Sequence, residues 1–258
     1  MRCVYAEWEE RNLGCRTIEL TIEKKDTLLP MEKVLQKIEH CICEYQAQYI
    51  VVRSNTKYHH IGQYLQTQGF FLMEAQVGLK LERENVIDTY EKYRDLFPNV
   101  TYRSASENDL EYVVSEIQKG IFETDRISLD PYFGKTVANR RYAIWTEDTY
   151  RRGGNLFISF YREKPMGFFL DLYEDEKKKK IKGLLGGLFL NENHQHCGSM
   201  HIFVGRMSFL DRELLMEKTS VSTNNLSILQ LQLMFGSKIV SIDNVYIKHI
   251  NTFIEKTE

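Results

Sequence analysis

With 258 residues, 43% of them hydrophobic and 27% charged, the chain has the composition of folded globular protein, enough for one large domain or two of about 100–150 residues each. A net charge of −2 argues against gripping nucleic acid, which needs a large basic excess. No stretch approaches about 18 apolar residues, and Met1-Arg2-Cys3-Val4 does not begin an apolar leader, so a cytoplasmic protein without a membrane partner is expected.

Residues 1–82 alternate strand-like and helix-like segments and form the first expected domain. From Cys15 to Ile22, Thr17, Glu19 and Thr21 alternate with Ile18, Leu20 and Ile22, the two-residue period of a strand. Pro30 stands where a helix starts, and Val34, Leu35, Ile38, Ile42 and Tyr45 follow at helical spacing. Tyr49-Ile50-Val51-Val52 reads as a buried strand, Ile61–Gln68 as a short helix stopped by Gly69, and Phe70–Leu81 as a long strand. Residues 83–100, charged and containing Pro98, read as a linker or connecting helix.

The second expected domain covers residues 101–258. Ser106 caps a helix over Glu107–Phe122; Asn155–Phe160 and Met166–Leu172 read as strands; Lys177–Lys180, beside Glu174-Asp175-Glu176, reads as a solvated hairpin tip. Lys182–Leu190 is an apolar strand that includes Gly183, Gly186 and Gly187. Helix, strand, helix and strand complete the chain and end with Val245-Tyr246-Ile247. Ile61, Gln63 and Gly69 match Ile228, Gln230 and Gly236 at one constant offset. A recurrent helix–Gly–strand pattern and a duplicated half-fold both explain this echo. The fold class implied is α+β.

Five cysteines, with no CxxC pair and no His/Cys ligand spacing, predict neither a disulfide framework nor a metal site. Cys197 is a small turn residue or a nucleophile, and no His–Asp pair is visible to activate it. It belongs to the turn Gln195-His196-Cys197-Gly198-Ser199-Met200, which opens a helix after the strand ending Leu188-Phe189-Leu190. Small residues at a helix start let an anion approach several backbone N–H groups at the positive end of the helix dipole. The strand Thr219-Ser220-Val221-Ser222 and the pair Asn224-Asn225 follow.

In that order, the chain resembles the GNAT N-acetyltransferase superfamily, whose pyrophosphate loop reads [QR]-x-x-G-x-[GA]. Gln195 and Gly198 match; Met200 departs where Gly or Ala is expected, and neither His196 nor Cys197 brings a basic charge at pH 7. The resemblance implies a mixed, mostly antiparallel twisted sheet flanked by helices. It also implies acetyl-CoA as co-substrate, with Leu188, Phe189 and Leu190 beside the pantetheine arm and Asn225 contacting it. In the superfamily, a Tyr shortly before a Gly-Phe pair protonates the leaving thiolate. Here Gln232 stands in that place, Ser237 replaces the Phe, and Tyr246 is a second candidate donor. An amide can donate a hydrogen bond but cannot give up a proton.

A closer resemblance, to the two-domain TDP-fucosamine acetyltransferase group, rests on Phe122-Glu123-Thr124-Asp125-Arg126, Asp130-Pro131, Arg141-Tyr142 and Trp145. It rests further on Trp8-Glu9 and Leu13-Gly14 in a partial GNAT-like first domain. It implies a small-molecule amine acceptor, a nucleotide-linked amino sugar used for cell-surface glycan, and it leaves a homodimer open. Arg126 would grip a diphosphate or carboxylate and Tyr142 and Trp145 would face a ring; a salt bridge to Asp125 or Asp130, and a helix-packing face, are the structural alternatives. Glu147, Asp148, Asp171 and Tyr173 are candidate bases, none singled out. Met200 and Gln232 keep a second reading open, a non-catalytic GNAT relative that binds CoA or a partner.

Overall fold

A computed structural model describes residues 1–190 and 197–250. Among these residues the chain forms two compact units. The first comprises residues 1–76 and 241–250, and the second Val77–Val240.

The first unit contains β1 (Arg2–Tyr5), α1 (Glu7–Leu13), β2 (Thr17–Thr21), α2 (Met31–Tyr45), β3 (Tyr49–Asn55), α3 (His59–Thr67) and the start of β4 (Phe71–Glu82). Its strand order is β1-β2-β3-β10, where β10 (Lys238–His249) arrives from the far end of the sequence. β2 and β3 are parallel, and β1/β2 and β3/β10 are antiparallel. Pro30 occupies the N-cap of α2, and Val34, Ile38 and Cys41 form its buried stripe. That stripe packs on Ile18, Leu20, Ile50 and Val52 from the strands, with Tyr246 of β10 in the same cluster.

The second unit contains the end of β4, α4 (Arg83–Tyr93), β5 (Val100–Ser104), α5 (Glu107–Gln118), α6 (Arg126–Leu129), α7 (Gly134–Arg151) and β6 (Asn155–Tyr161). Then come β7 (Lys164–Asp175), β8 (Lys180–Leu188), α8 (Gly198–Asp211), β9 (Met216–Ser222) and α9 (Leu226–Met234). The strand order is β4-β9-β8-β7-β6-β5, antiparallel from β5 to β8 and parallel between β8 and β9. The fold is therefore α+β, with a mixed, mostly antiparallel sheet flanked by helices. One cluster joins Leu110, Val113 and Ile117 of α5 to Ala143 of α7 and to β6 and β7. A second joins Met166 and Phe235 to Ile202, Phe203 and Val204 of α8.

Several element boundaries differ from the sequence reading. The helix expected to reach Phe122 stops at Gln118, because Gly120 turns the chain with φ 106°. The strand expected to reach Leu190 stops at Leu188. Ser106 does cap α5, with Asp109 returning a hydrogen bond to the Ser106 backbone N–H.

Gly69 (φ 79°) and Gly236 (φ 91°) end α3 and α9 in the left-handed region, and each precedes a strand of 12 residues, β4 and β10. A Cβ at Gly236 would also lie 2.9 Å from the backbone oxygen of Asn85. Gly236→Ala should therefore cost about 1–3 kcal/mol and lower the melting temperature by several degrees. A melting temperature within one degree of the parent would show that the turn relaxes.

Candidate active site

β8 and β9 pair in parallel at three positions, Lys180↔Met216, Ile181↔Glu217 and Lys182↔Lys218. β8 then continues to Leu188 and β9 to Ser222 without further pairing to each other among the described residues, so the two strands form a fork. On its other side, β8 shifts register against β7 between Leu170↔Leu185 and Asp171↔Gly183, leaving Leu184 as an extra residue. Such a bulge bends the strand and takes one residue out of the ladder. Both irregularities meet at the crotch of the fork, and a backbone donor that a bulge takes out of the ladder can serve a ligand carbonyl.

Three glycines keep the β8 arm thin. A Cβ at Gly183 would lie 2.4 Å from Glu217 Oε1, and one at Gly187 would lie 3.0 Å from Ile121 Cδ1. Of the three residues expected to line a ligand at the end of β8, only Leu188 is on the strand. Phe189 is buried and its N–H donates to the Met166 carbonyl at 3.0 Å, so that N–H is already committed; Leu190 is exposed. Gln195 and His196 lie outside the described residues.

α8 begins at Gly198, and its N-cap residue Cys197 gives no side-chain hydrogen bond to the helix start. The first N–H groups, at Gly198, Ser199 and Met200, are thus not capped by that side chain, which suits them to an anion. Gly198 faces α9: a Cβ there would lie 3.0 Å from Leu231 Cδ1. Met200 packs into the cluster of Cys197, Ile202 and Phe203. Burial pushes the Cys197 thiol above its ordinary value, the opposite of an activated nucleophile. Asn225 is the N-cap of α9, its Oδ1 accepting from the Ile228 N–H at 3.3 Å.

Gln232 is held by a residue that the sequence reading did not single out. Arg206 of α8 is 3% exposed; its Nη2 donates to Gln232 Oε1 at 2.7 Å and to Ser237 Oγ at 3.3 Å, and its Nε donates to the Phe235 carbonyl at 2.9 Å. Ser237 Oγ also donates to Gln232 Oε1 at 3.1 Å. Arg206 Nη1 lies 3.8 Å from Glu217 Oε2. The departures Gln232 and Ser237 are thus paired with each other and with a buried guanidinium. The signal for Arg206 was a lone charge in the apolar run Ile202-Phe203-Val204-Gly205.

The segment between α5 and α6 reaches the tip of β9. Thr124 O accepts from Ser222 Oγ at 3.2 Å, at the tip of β9. Phe122 lies tilted against Tyr142 at 4.5 Å, and Tyr142 lies 6.1 Å from Trp145, centroid to centroid. Arg141 lies over both rings. Arg126 is 5% exposed in α6. Of the candidate bases, Asp171 forms a two-pronged pair with Arg212 (2.6 and 2.9 Å), and Glu147 pairs with Arg151. Tyr246 belongs to the first unit; it is buried, accepts from Asn244 Nδ2 at 3.2 Å, and its ring packs where a side chain at Gly62 would stand.

No family model matches the sequence, and no match is found among curated proteins. Solved structures do match. A functionally unknown conserved protein from Staphylococcus epidermidis ATCC 12228 is 13% identical over 91% of this chain and 84% of its own, with a TM-score of 0.62. A GCN5-related N-acetyltransferase from Sphaerobacter thermophilus is 10% identical over 96% of this chain and 75% of its own, with a TM-score of 0.59. A tandem GNAT protein from the clavulanic acid biosynthesis pathway is 10% identical over 92% of this chain and 76% of its own, with a TM-score of 0.55. The fold is that of GCN5-related N-acetyltransferases. No helix among the described residues is long and apolar enough to cross a membrane.

One buried pair ties α8 to β6. His201 Nδ1 lies 2.8 Å from Ser159 Oγ, and its ring stacks on Phe169 at 3.9 Å. Burial holds the imidazole down to about 3, against a lesser opposing pull from the Phe168 backbone. The unfolded value is about 6.5. The neutral ring's contribution is complete above that value and is lost as pH falls from about 6.5 toward 3, at about 1.4 kcal/mol per pH unit. Urea melts from pH 7 to 4 should therefore show a steeper loss for the parent than for His201→Gln. Parallel curves would mean that this imidazole titrates normally.

Proposed function

We propose that this chain transfers the acetyl group of acetyl-CoA to a primary amine, with a nucleotide-linked amino sugar as the acceptor class, in the cytoplasm. The observation that carries the reading is the fork: a parallel pair that parts after three residues, beside a bulge at Leu184, leading to a helix whose N-cap side chain leaves its start open. Acetyl-CoA supplies a thioester that an amine can attack. The chain's own contribution is geometric and electrostatic. The N-terminus of α8 at Gly198–Met200 holds a diphosphate, and Asn225 orders the turn beside it. Backbone donors at the bulge polarise a carbonyl, and the thin β8 arm lets a linear ligand lie between the strands. Phe122, Tyr142, Trp145 and Arg126 border the acceptor side.

Gln232 favours a second reading, binding without catalysis, because an amide held through its oxygen by Arg206 and Ser237 has no proton to give a thiolate. Thiol release with amines separates the two. If the enzyme is active, it works with an unassisted thiolate, whose pKa of about 8.5 makes it a tolerable leaving group.

Acetyl-CoA should raise the melting temperature of the parent, and Gly198→Val should abolish that rise by closing the helix start and pressing on Leu231. No shift at millimolar acetyl-CoA would sink the cofactor assignment. For the acceptor, Arg126→Lys keeps the charge and loses the planar fork of donors. It should raise the acceptor's KM roughly tenfold, the value of one charged hydrogen bond, while leaving that for acetyl-CoA unchanged. An equal rise for both would remove this arginine from the acceptor side.

A further inference from the structure

We propose that Glu217 is the group that takes the proton from the attacking amine. The proposal rests on the acetyl-transfer reading above and adds to it a residue at the crotch of the fork. Glu217 is the middle residue of the three β9 positions that pair with β8, so its backbone is fixed where the strands are still joined. Its carboxylate reaches forward over Gly183, the first β8 residue past the last pair; any side chain at Gly183 would collide with Oε1. Gly183 in turn adjoins the bulged Leu184. One acidic oxygen therefore stands within a residue of the backbone donors that would hold the reacting carbonyl.

The charges around Glu217 suit a proton acceptor. Arg206 on α8 is the nearest cation, at 3.8 Å, and its hydrogen bonds go to Gln232, Ser237 and the Phe235 carbonyl. Arg212, following α8, is engaged by Asp171 of β7. Across the pair on β8 stands Ile181, which is buried and apolar. Among the described residues no ring of donors fixes this carboxylate as an anion, and 19% of its side chain still reaches solvent. Burial, the leading cause, and the nearby Asp171 raise it above the ordinary carboxylate value, against the opposing pull of Arg206 and Arg212. A base raised toward the working pH is the more effective one.

The step balances. The ammonium R–NH3+ gives one proton to the Glu217 carboxylate, and the neutral amine forms a C–N bond to the thioester carbon. The C–S bond then breaks, the thiolate takes the second nitrogen proton, and Glu217 returns the first to solvent.

The test uses Glu217→Gln and Glu217→Asp with acetyl-CoA and three probe amines: glucosamine, spermidine and a peptide with a free N-terminus. We expect both variants to keep the melting shift given by acetyl-CoA. Turnover of Glu217→Gln should fall roughly 100- to 10,000-fold, the usual value of general base help. Its residual rate should rise with pH without the enzyme's acid limb, while Glu217→Asp keeps that limb at a lower rate. Without ligand, the raised folded pKa means that Glu217 stabilises the protein below its unfolded value and that this is lost as pH rises through the folded one. Glu217→Gln should therefore flatten that part of the melting curve against pH. Turnover of Glu217→Gln within threefold of the parent, with the same pH profile, would overturn the assignment and leave the acetyl-transfer reading standing. A parent that releases no thiol with any of the three amines would overturn both.

Discussion

Two strands that part after three shared residues set the terms for the second unit. A parallel pair needs a crossover, and here the crossover is α8, so the helix start must lie at the end of β8 where the strands have already separated. Parting also leaves backbone groups on both arms without a ladder, and such groups demand partners. A ligand with amides spaced along an extended arm and an anion at one end can satisfy arm and helix together, much as a peptide adds to a sheet edge. Thinness of the β8 arm, the bulge at Leu184 and the open start of α8 are then three parts of one requirement.

Holding such a fork open calls for support on the α8 side, and Arg206 supplies it. A buried guanidinium without acceptors would cost several kcal/mol, so its acceptors are fixed in place by it as much as it is by them. Those acceptors are the C-terminal end of α9 and the side chains of Gln232 and Ser237, with Glu217 of β9 near by. The amide of Gln232 and the hydroxyl of Ser237 both serve the arginine. These two side chains are thus explained together by one buried charge, and their first role is in packing.

Much of the fold was legible because it is local. The stripe of Val34 and Ile38 declares α2, Ser106 declares α5, and Gly69 and Gly236 declare the ends of α3 and α9. Position along the chain gave the order of strand, turn, helix and strand that frames the site. What was hidden is what periodicity does not encode. A bulge changes which neighbour a residue meets without changing the residues, so Leu184 reads as any strand leucine. Glu217 and Lys218 look alike as charged strand residues; only the partner strand makes one of them face Gly183 and Arg206. Phe189 reads as strand because it is apolar, yet its N–H closes on Met166 just after the ladder stops. Partner identity, set by tertiary structure, is the missing quantity in each case.

β10 has a consequence for how the chain is made. It completes the first unit by pairing with β3 from Asp243↔Asn55 to His249↔Tyr49, across a separation of 188 residues at the Asn55–Asp243 hydrogen bond. On the ribosome, β3 emerges and must wait for 188 further residues before its antiparallel neighbour exists. Through that wait Tyr49-Ile50-Val51-Val52, fully buried when finished, presents an apolar open edge to every other nascent chain nearby. Synthesis at about 5–20 residues per second stretches the exposure to roughly ten seconds or more. For this protein, the hazardous interval is biosynthesis itself, and its yield in a cell depends on how well that one edge is sheltered until the last strand arrives.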